Sequence, residues 1–261
     1  MSKIMLSRRR FLSAGAAGAS SLVLAGCDNL DFLGADGSKA RAVLEKANDL
    51  TYHAQRLLIR DGALAPEYSE TEIRQGQRPN GSTDPETPEY LALKDNAFAG
   101  YRLAITGLVD RPQSYSLAEL RNMPARTQIT RHDCVEGWSC IAKWSGPQLS
   151  RLLDEAGAKP NARYAVFHCY DALDEGDPAT YYESCDLIDA RHPQTILAYG
   201  LNGQSLPVAN GAPIRVRIER ALGYKQPKYV HTIELVDSFS RFGRGKGGYW
   251  EDRGYDWYAG I

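Results

Sequence analysis

Cysteine is scarce in this chain, with five residues in 261. A domain held together by disulfides needs a denser set, so a disulfide scaffold is excluded, whereas one or two bridges are not. The chain has no C-x-x-C-H motif and therefore no site for a covalently attached haem. Internal repeats and low-complexity tracts are also missing, which excludes a repeat architecture. The remaining composition, 43% hydrophobic and 24% charged, is that of an ordinary globular protein.

Long apolar runs are missing too. The most apolar stretch near the N-terminus, residues 11–26, is rich in alanine and glycine and is too short and too weakly apolar for a convincing membrane span. It overlaps the motif SRRRFL at residues 7–12, which matches the twin-arginine export pattern. We therefore expect residues 1–26 to be a twin-arginine signal peptide, a signal that exports proteins already folded in the cytoplasm.

This N-terminal segment ends in LAGC, and its last residue is Cys27. The pattern resembles a bacterial lipobox, in which the cysteine receives the lipid and becomes the mature N-terminus. The alternative is a cysteine that lies near an ordinary cleavage site by coincidence. If Cys27 is lipidated, residues 27–37 form a tether, and a lipid anchor on the cytoplasmic membrane holds a protein that faces the periplasm.

The charge balance bears on possible partners. The whole chain has a formal net charge of −1. Removal of residues 1–26 would take away four basic residues and no acidic one, so the net charge would become −5. A mildly acidic protein lacks the basic surface that nucleic-acid phosphates require, and we expect no nucleic-acid partner.

Residues 38–73 are predicted to contain a helix followed by an extended lead-in. Apolar residues recur at helical spacing between Ser38 and Arg60, and we expect this stripe to pack on the main domain. Residues 61–100 contain much proline, glycine, glutamate and threonine with little periodicity, which predicts an extended loop. The stripe consists of Val43, Ala47, Leu50, Ala54 and Leu57.

The main domain is placed at residues 74–240, and its strand patterns begin at Tyr101. Asn202 and Gly203, between two apolar runs, predict a tight hairpin. Alternation over 214–218 predicts a strand with one charged face. Many strands, few short helices and no βαβ rhythm predict an α+β fold with mixed β-sheets. Further strands are predicted at 101–105, 127–131, 163–169, 194–199 and 229–236.

Two short helices are predicted inside this domain. Ser116 and Glu119 have the spacing of a capping box and should begin the first. Pro147 occupies a suitable first helical position for the second, with Gly157 beyond its end. The last stretch, residues 241–261, carries six aromatic residues among glycines, and it either roofs a pocket or packs on the domain.

Cys134, in the sequence RHDCVEGWSC, does not lie among apolar residues as a buried structural thiol would. It follows a predicted strand in a glycine-containing loop, which suits the presentation of a thiolate to a ligand. Three alternatives stay open here: a disulfide with Cys140, a catalytic thiol with a histidine partner, and a zinc site. The zinc site would use His132, Cys134, Cys140 and His168.

Three stretches together resemble the molybdopterin-binding domain of the sulfite oxidase family, which includes the catalytic subunits of periplasmic methionine-sulfoxide reductases. They are TRHDCVEGWS at 130–139, HPQTILAYGLNGQSLPVANGAPIRVRI at 192–218, and GYKQPKYVHTIELVD at 223–237. The similarity keeps order and spacing from about residue 78 to 237. It implies a sulfite-oxidase-like fold and a molybdenum-molybdopterin cofactor, which also agrees with export of a folded protein.

The resemblance assigns roles to individual residues. Cys134 matches the cysteine that ligates molybdenum, and a thiolate is the soft donor that this metal site uses. Arg215 matches a contact to the cofactor phosphate. Tyr181 matches a tyrosine near the metal. The other implied cofactor contacts are Asn80, Asn210, Gly223, Lys225 and Lys228.

The residues after the ligating cysteine bear on the substrate. Glu136 and Trp138 stand where sulfite oxidases carry a small residue and arginines, and an acidic group there would repel sulfite. The pattern C-V-E-x-W is more similar to the methionine-sulfoxide-reductase branch. The resemblance therefore implies two-electron oxygen-atom transfer, with reduction of S-oxides or N-oxides favoured and Glu136 in the catalytic site. A sulfite-type oxidase and a non-catalytic lipoprotein module for binding or assembly are the alternatives.

Partners follow from what the chain does not carry. Without a haem site of its own, an enzyme of this kind exchanges electrons with a separate haem protein, either a membrane cytochrome b or a c-type cytochrome. The domain by which sulfite oxidases dimerise does not follow the matched region, so we expect a monomer. The other partner is a small-molecule or sulfoxide substrate. Disulfide bonding of Cys140, Cys169 and Cys185 is left open.

Overall fold

The computed structural model describes residues 39–74, 76–173 and 180–261. The predicted signal peptide, the lipidation site Cys27 and the tether at 27–37 lie outside the described residues. Two compact units make up the chain, Met1–Thr51 and Tyr52–Ile261. The second unit contains all the strands found among the described residues and the candidate site described below, and the domain boundaries given above stay predictions.

Helix α1 spans Lys39–Leu58, which confirms the helix predicted from Ser38 to Arg60. The packing predicted for its apolar stripe is wrong at Leu57, whose side chain is 86% exposed. The contacts come instead from Tyr52 and Arg56, whose polar groups bind the carboxylate of Asp186. Polar contacts of Tyr52 and Arg56, together with ring contacts between Tyr52 and the side chains of Trp257 and Tyr258, therefore fix this turn of the helix. Among the described residues, no helix is both long and apolar enough to cross a membrane.

The prediction of extended loop over residues 61–100 is wrong in two places. A 3-10 turn spans Glu70–Glu72, and helix α2 spans Pro88–Asp95 with its proline in the first turn. Tyr90 is the buried residue of α2, and its hydroxyl donates to the carbonyl of Ala212. A helix of eight residues is too short to show periodicity, so a single buried tyrosine decides where it packs.

The larger sheet has five strands in the order β2-β1-β11-β5-β6. Strands β1 and β11 are parallel, and the other pairs are antiparallel. Fully buried Leu103, Ile105, Phe167 and Ile233 belong to its core, and each such side chain contributes about 1.5–3 kcal/mol through removal from water. The strands are β1 (Arg102–Gly107), β2 (Gln113–Ser116), β5 (Tyr164–Cys169), β6 (Tyr182–Asp186) and β11 (Val230–Val236).

A second sheet has four strands in the order β3-β4-β8-β9, and a separate pair joins β7 to β10. Asn202 and Gly203 form the turn between β8 and β9, which confirms the predicted hairpin. Mixed sheets with short helices confirm the α+β fold class. The strands are β3 (Ala125–Asp133), β4 (Ser139–Pro147), β7 (Ile196–Ala198), β8 (Gly200–Leu201), β9 (Gln204–Ser205) and β10 (Arg215–Arg217).

Three further short helices connect the strands: α3 (Leu117–Asn122), α4 (Leu149–Ala156) and α5 (Leu187–Ala190). The capping box of Ser116 and Glu119 that begins α3 is confirmed. Pro147 is not the first residue of α4, because it ends β4, where it pairs with Ala125. Gly157 follows α4 in the left-handed region with φ 69°, as expected of a helix-ending glycine.

Strand β10 does not present the charged face that its sequence predicts. Arg215 and Arg217 are 1% and 0% exposed, and both guanidinium groups lie over the ring of Trp144. Alternation of apolar and charged residues normally indicates one solvent-facing side. Here both sides of the strand are buried, so the two arginines need partners inside the protein.

Candidate active site

One cleft brings together segments from five parts of the second unit. The loop between β3 and β4 contributes Cys134, and the turn after β10 contributes Gly223 and Lys228. Three further parts line the cleft: the segment before α2, the residues that follow β5 and precede β6, and the C-terminal segment. Besides Cys134, Gly223 and Lys228, the lining residues are Asn80, Gly81, Ser82, Val135, Glu136, Asp171, Leu173, Tyr181, Tyr224, Gln226, Pro227, Trp250 and Tyr255.

Cys134 is held by a tight turn at the end of the β3–β4 hairpin. Its N–H donates to the carbonyl of Trp138 at 2.9 Å, and its carbonyl accepts from Gly137 at 3.0 Å. Gly137 has φ 84°, a conformation that glycine adopts without strain. Burial raises the pKa of the Cys134 thiol, and the Glu136 carboxylate adds to this, while the backbone N–H of Glu136 opposes it. Contact with a metal reverses that balance, because a coordinated thiol gives up its proton.

A buried ion pair supports this loop from behind, and the sequence did not reveal it. Arg217 forms two hydrogen bonds to Glu219, at 3.0 and 2.6 Å, and a third at 2.8 Å to Nδ1 of His132. Because the guanidinium only donates, His132 Nδ1 accepts and the imidazole proton lies on Nε2. Burial and the neighbouring arginines lower the pKa of His132, so the ring is neutral. Arg217 and Glu219 thereby orient the residue two positions before Cys134.

Gly223 permits a close approach between two lining segments. A Cβ atom at this position would lie 2.6 Å from Nε2 of His132 and 3.3 Å from the carbonyl oxygen of Asp133. No side chain larger than hydrogen fits there without displacing the Cys134 loop. The sequence pointed to Gly223 as a cofactor contact, and the structure gives it this steric role as well.

Lys228 and Asp171 are a cation and a carboxyl group buried in the cleft wall. Lys228 donates to the carbonyls of Ser82 and Ala209. Burial lowers its pKa to about 7, with Arg215 adding to the effect. Burial raises the pKa of Asp171 to about 7, and Lys228 opposes the rise. Oδ1 of Asp171 has no hydrogen-bond partner. Sequence patterns gave no sign of Asp171, which lies in the irregular segment after β5.

Asn210 and Arg215 lie behind the cleft wall rather than in it. The terminal nitrogens of Arg215 donate to the carbonyls of Asn210 and Gln226, at 3.1 and 3.2 Å. Its Nε and the Nδ2 of Asn210 are buried without a partner. Burial and the nearby Arg217 lower the pKa of Arg215 to about 9, and the guanidinium still stays charged at neutral pH. Within the described residues no carboxylate forms an ion pair with Arg215, so a buried positive charge remains uncompensated.

Lys225 also lies behind the wall, where two carboxylates bind it. Its ammonium contacts Glu183 at 2.5 Å and also contacts Glu251, and all three side chains are buried. The two carboxylates raise the pKa of Lys225 although burial opposes them, and the lysine therefore stays charged. Burial raises the pKa of Glu183, and Glu251 adds to this. The cofactor contact predicted for Lys225 would require this cluster to open.

Tyr181 and Glu136 both line the cleft, as their predicted roles require. The Tyr181 hydroxyl donates to the carbonyl of Tyr224 at 2.6 Å. Glu136 accepts from Nε1 of Trp138 at 2.9 Å, and its carboxylate lies 3.8 Å from the guanidinium of Arg78. Arg78 also stacks over the Trp138 ring at 5.0 Å. Glu136 thus belongs to a small exposed cluster at the mouth, in which one cation partly offsets its charge.

The alternatives to metal ligation by Cys134 can be compared with this geometry. Cys134 and Cys140 are both free thiols, as are Cys169 and Cys185, so no disulfide joins these four residues. Among the described residues, no group of three histidine, cysteine or acidic side chains is arranged to hold a metal ion. His168 pairs instead with Glu234. The zinc site and the Cys134–Cys140 disulfide are therefore wrong.

The C-terminal segment does both things that its composition suggested. Trp250 and Tyr255 line the cleft. Trp257 packs elsewhere, against Tyr164 and Phe239, and its Nε1 donates to Ser184 at 2.9 Å. One part of the segment therefore covers the cleft while another part packs on the domain.

Residues 90–241 match the family described as oxidoreductase molybdopterin binding domain. The match covers more than half of the chain, which therefore belongs to this family of molybdopterin-dependent oxidoreductases. One relative, the putative protein-methionine-sulfoxide reductase subunit YedZ1 of Azospira oryzae, is 36% identical over 255 residues, which cover 97% of this chain and 88% of that protein.

Other relatives match over a shorter region. The protein-methionine-sulfoxide reductase catalytic subunit MsrP of Gluconobacter oxydans is 35% identical over 148 residues, 52% of this chain and 47% of that protein. The MsrP of Ralstonia nicotianae is 34% identical over 145 residues, 52% and 44% of the two chains. This chain thus spans less than half the length of these two relatives. A solved structure, the sulfane dehydrogenase SoxCD from Paracoccus pantotrophus, is similar with a TM-score of 0.48 and 23% identity, over 54% of this chain and 39% of that one.

The residues around the cleft fit a molybdopterin group. A pterin with a phosphate needs hydrogen-bond donors, acceptors and a cationic partner. The buried unpaired donors include Nε of Arg215 and Nδ2 of Asn210, and the buried unpaired acceptors include Oδ1 of Asp171 and Oε1 of Gln226. The uncompensated charge of Arg215 calls for an anion. Cys134 supplies a single soft donor at the cleft surface. A metal that receives further sulfur ligands from its own cofactor requires one such donor from the protein.

Proposed function

We propose that this chain is a molybdenum-molybdopterin oxidoreductase that reduces S-oxides by two-electron oxygen-atom transfer, with N-oxides as a related substrate class. The observation that carries the proposal is the placement of the Cys134 thiol in a cleft that has the Glu136 carboxylate at its mouth and, among the described lining residues, no cation directed at an anionic substrate. The basic side chain of the described lining is Lys228, which donates to backbone carbonyls, and the pKa of Asp171, about 7, leaves that carboxyl group partly protonated. The names of the curated relatives support the same direction of reaction.

The chain's own residues would divide the work. Cys134 would ligate the metal, and Asn80, Gly223 and Lys228 would hold the pterin along the cleft, with Asn210 and Arg215 behind it. When bound, this cofactor supplies a metal that exchanges an oxygen atom and two electrons with the substrate. Reduction of an S-oxide to a sulfide consumes two electrons and two protons and releases water, so the cleft must also pass protons. Tyr181, Asp171 and Lys228 are among the proton-carrying side chains that line it.

The charge of the cleft distinguishes this function from sulfite oxidation. Lys228 is directed at backbone carbonyls, Arg131 pairs with Asp133, and Lys143 pairs with Glu70. None of these cations is aimed at an anionic substrate. A like charge about 6 Å away costs roughly 3 kcal/mol at an effective dielectric of 20, and less when it is exposed as Glu136 is. A neutral S-oxide avoids this repulsion.

The test is a pair of assays on one molybdenum-loaded preparation. A reduced dye donates electrons to dimethyl sulfoxide in the first assay, and sulfite donates electrons to an oxidised dye in the second. We expect the higher kcat/KM for the sulfoxide. A higher kcat/KM for sulfite would favour the sulfite-type oxidase, and the lack of any turnover by a fully loaded protein would favour a non-catalytic binding or assembly module.

The setting of the enzyme belongs to the same proposal. The twin-arginine motif at residues 7–12 and the lipobox cysteine Cys27 favour export in the folded state and lipid anchoring on the periplasmic side of the cytoplasmic membrane. Because the chain has no motif for a covalently bound haem, a separate haem protein would exchange electrons with it, as either a membrane cytochrome b or a c-type cytochrome. The word subunit in the relatives' names supports a partner of some kind.

A further inference from the structure

Two rings of the C-terminal segment form one side of the cleft. Trp250 and Tyr255 both line it, and their ring centroids lie 5.3 Å apart. Tyr255 also meets the ring of Tyr224 edge-on at 5.2 Å, and Tyr224 lines the cleft as well. The three rings give a continuous aromatic surface, which we call the aromatic wall. It contrasts with the polar part of the lining, where Asp171 and Lys228 lie.

A buried ion cluster holds this wall in place. Glu251, next to Trp250 in the chain, binds the ammonium of Lys225, which also contacts Glu183 at 2.5 Å. Lys225 follows Tyr224 directly, so the cluster joins the two segments that carry the wall. Gly248 packs onto the carboxylates of Glu183 and Glu251 so closely that any side chain there would overlap them.

Further hydrogen bonds reinforce the same attachment. The Tyr182 hydroxyl donates to Asp252 at 2.6 Å, and the N–H of Tyr249 donates to the Tyr182 carbonyl at 2.9 Å. The Tyr224 hydroxyl donates to the carbonyl of Asp256 at 2.7 Å. The aromatic wall is therefore fixed at both ends. Because its rings are already held in one arrangement, they lose no side-chain freedom when a substrate binds.

We propose that the aromatic wall is the specificity-determining surface of the cleft and that it binds the apolar substituent of an uncharged S-oxide. Rings that line a cleft make favourable face and edge contacts with an aromatic or branched substituent, and they offer little to a methyl group. The preferred substrate class is thus an S-oxide with a large apolar substituent on sulfur. Glu251 is a positioning residue for the wall. The proposal rests on the proposed function, because the oxidised sulfur has to be the reacting group.

The test compares two sulfoxides that share the S=O group and differ in the apolar substituent. For methyl phenyl sulfoxide and dimethyl sulfoxide, kcat/KM is measured with a dye donor on molybdenum-loaded wild type, Trp250→Ala and Tyr255→Ala. We expect each variant to lose about tenfold in kcat/KM for the phenyl substrate, mainly through KM, and much less for dimethyl sulfoxide. Trp257→Ala is the matched control, because it truncates a tryptophan of the same segment that does not line the cleft. Tyr255 is 38% exposed, so its variant keeps the test possible if Trp250→Ala does not fold.

Glu251→Gln tests the positioning role. This variant keeps the size of the side chain and removes one charge of the cluster. We expect a raised KM for methyl phenyl sulfoxide with kcat little changed, because the rings move while the reacting group does not. An equal loss of kcat for both sulfoxides would contradict a role in positioning the wall.

A binding measurement separates the wall from the reaction. The dissociation constant of methyl phenyl sulfide, which carries no oxygen to remove, is measured by calorimetry on the same loaded proteins. About tenfold weaker binding to Trp250→Ala than to wild type and Trp257→Ala supports the wall, even if neither sulfoxide is reduced and the proposed function fails. Equal dissociation constants in all three proteins, or no binding to wild type, would contradict the proposed role of the aromatic wall. The reduction assay tests the proposed function separately.

Discussion

At the scale of single residues, Asp171 is a carboxyl group whose proton is held by burial. Its pKa is raised to about 7, so the folded protein keeps a proton that the unfolded chain releases near pH 4. The stability that this proton contributes is fully present below about pH 4 and is lost as the pH rises through about 7. The charged and titratable groups that act on Asp171 or lie around it include Lys228, Arg215, Cys169, Glu183, Tyr181, Tyr90 and Tyr229.

Asp171→Asn therefore predicts a pH-dependent change in stability. Asparagine resembles the protonated acid, so we expect the difference in melting temperature between variant and wild type to be small at pH 5, where only the first part of the stabilisation is lost. At pH 8 the variant should exceed wild type by at least about 2 °C more than at pH 5, because wild type then buries an ionised carboxylate or takes up a proton at a cost in free energy. Melting is compared on preparations with equal molybdenum content. A constant difference in melting temperature between pH 5 and pH 8 would show that Asp171 does not carry this proton.

At the scale of secondary-structure elements, the sequence correctly predicted the features that depend on neighbouring residues alone. The capping box of Ser116 and Glu119 begins a helix, and Asn202 and Gly203 turn a hairpin, because both signals act within four residues. The resemblance led to Cys134, Gly223 and Lys228, which the fold brings to one cleft although they are distant in sequence.

The predictions from sequence are wrong where packing between distant segments determines the structure. Strand β10 is covered on both sides, so Arg215 and Arg217 are buried although the alternation predicts exposure. Pro147 ends strand β4 instead of beginning a helix, because it pairs with Ala125 of strand β3. Asp171 and the Lys225 cluster could not be found from spacing, since their partners are brought close only by the folded sheets.

At the scale of the whole molecule, anchoring depends on a single side chain outside the described residues. If Cys27 carries the lipid, Cys27→Ala should move the protein from the membrane fraction to the soluble periplasmic fraction. Each buried methylene of an acyl chain contributes about 0.8 kcal/mol to membrane binding, so several chains hold a lipoprotein firmly. Western blots of the fractions and N-terminal sequencing of the mature protein check this. A wild-type protein that is already soluble and cleaved at another position would contradict the anchor.

The central claim is that Cys134 binds molybdenum in a molybdopterin oxidoreductase. X-ray absorption at the molybdenum edge, on protein from its native host, counts the sulfur atoms bound to the metal in wild type and in Cys134→Ser. We predict stoichiometric molybdenum in wild type and one sulfur ligand fewer in the variant, which should keep its fold and lose turnover, because serine is a poor soft donor. An unchanged sulfur count and full turnover in Cys134→Ser, or wild-type protein without molybdenum, would contradict the account.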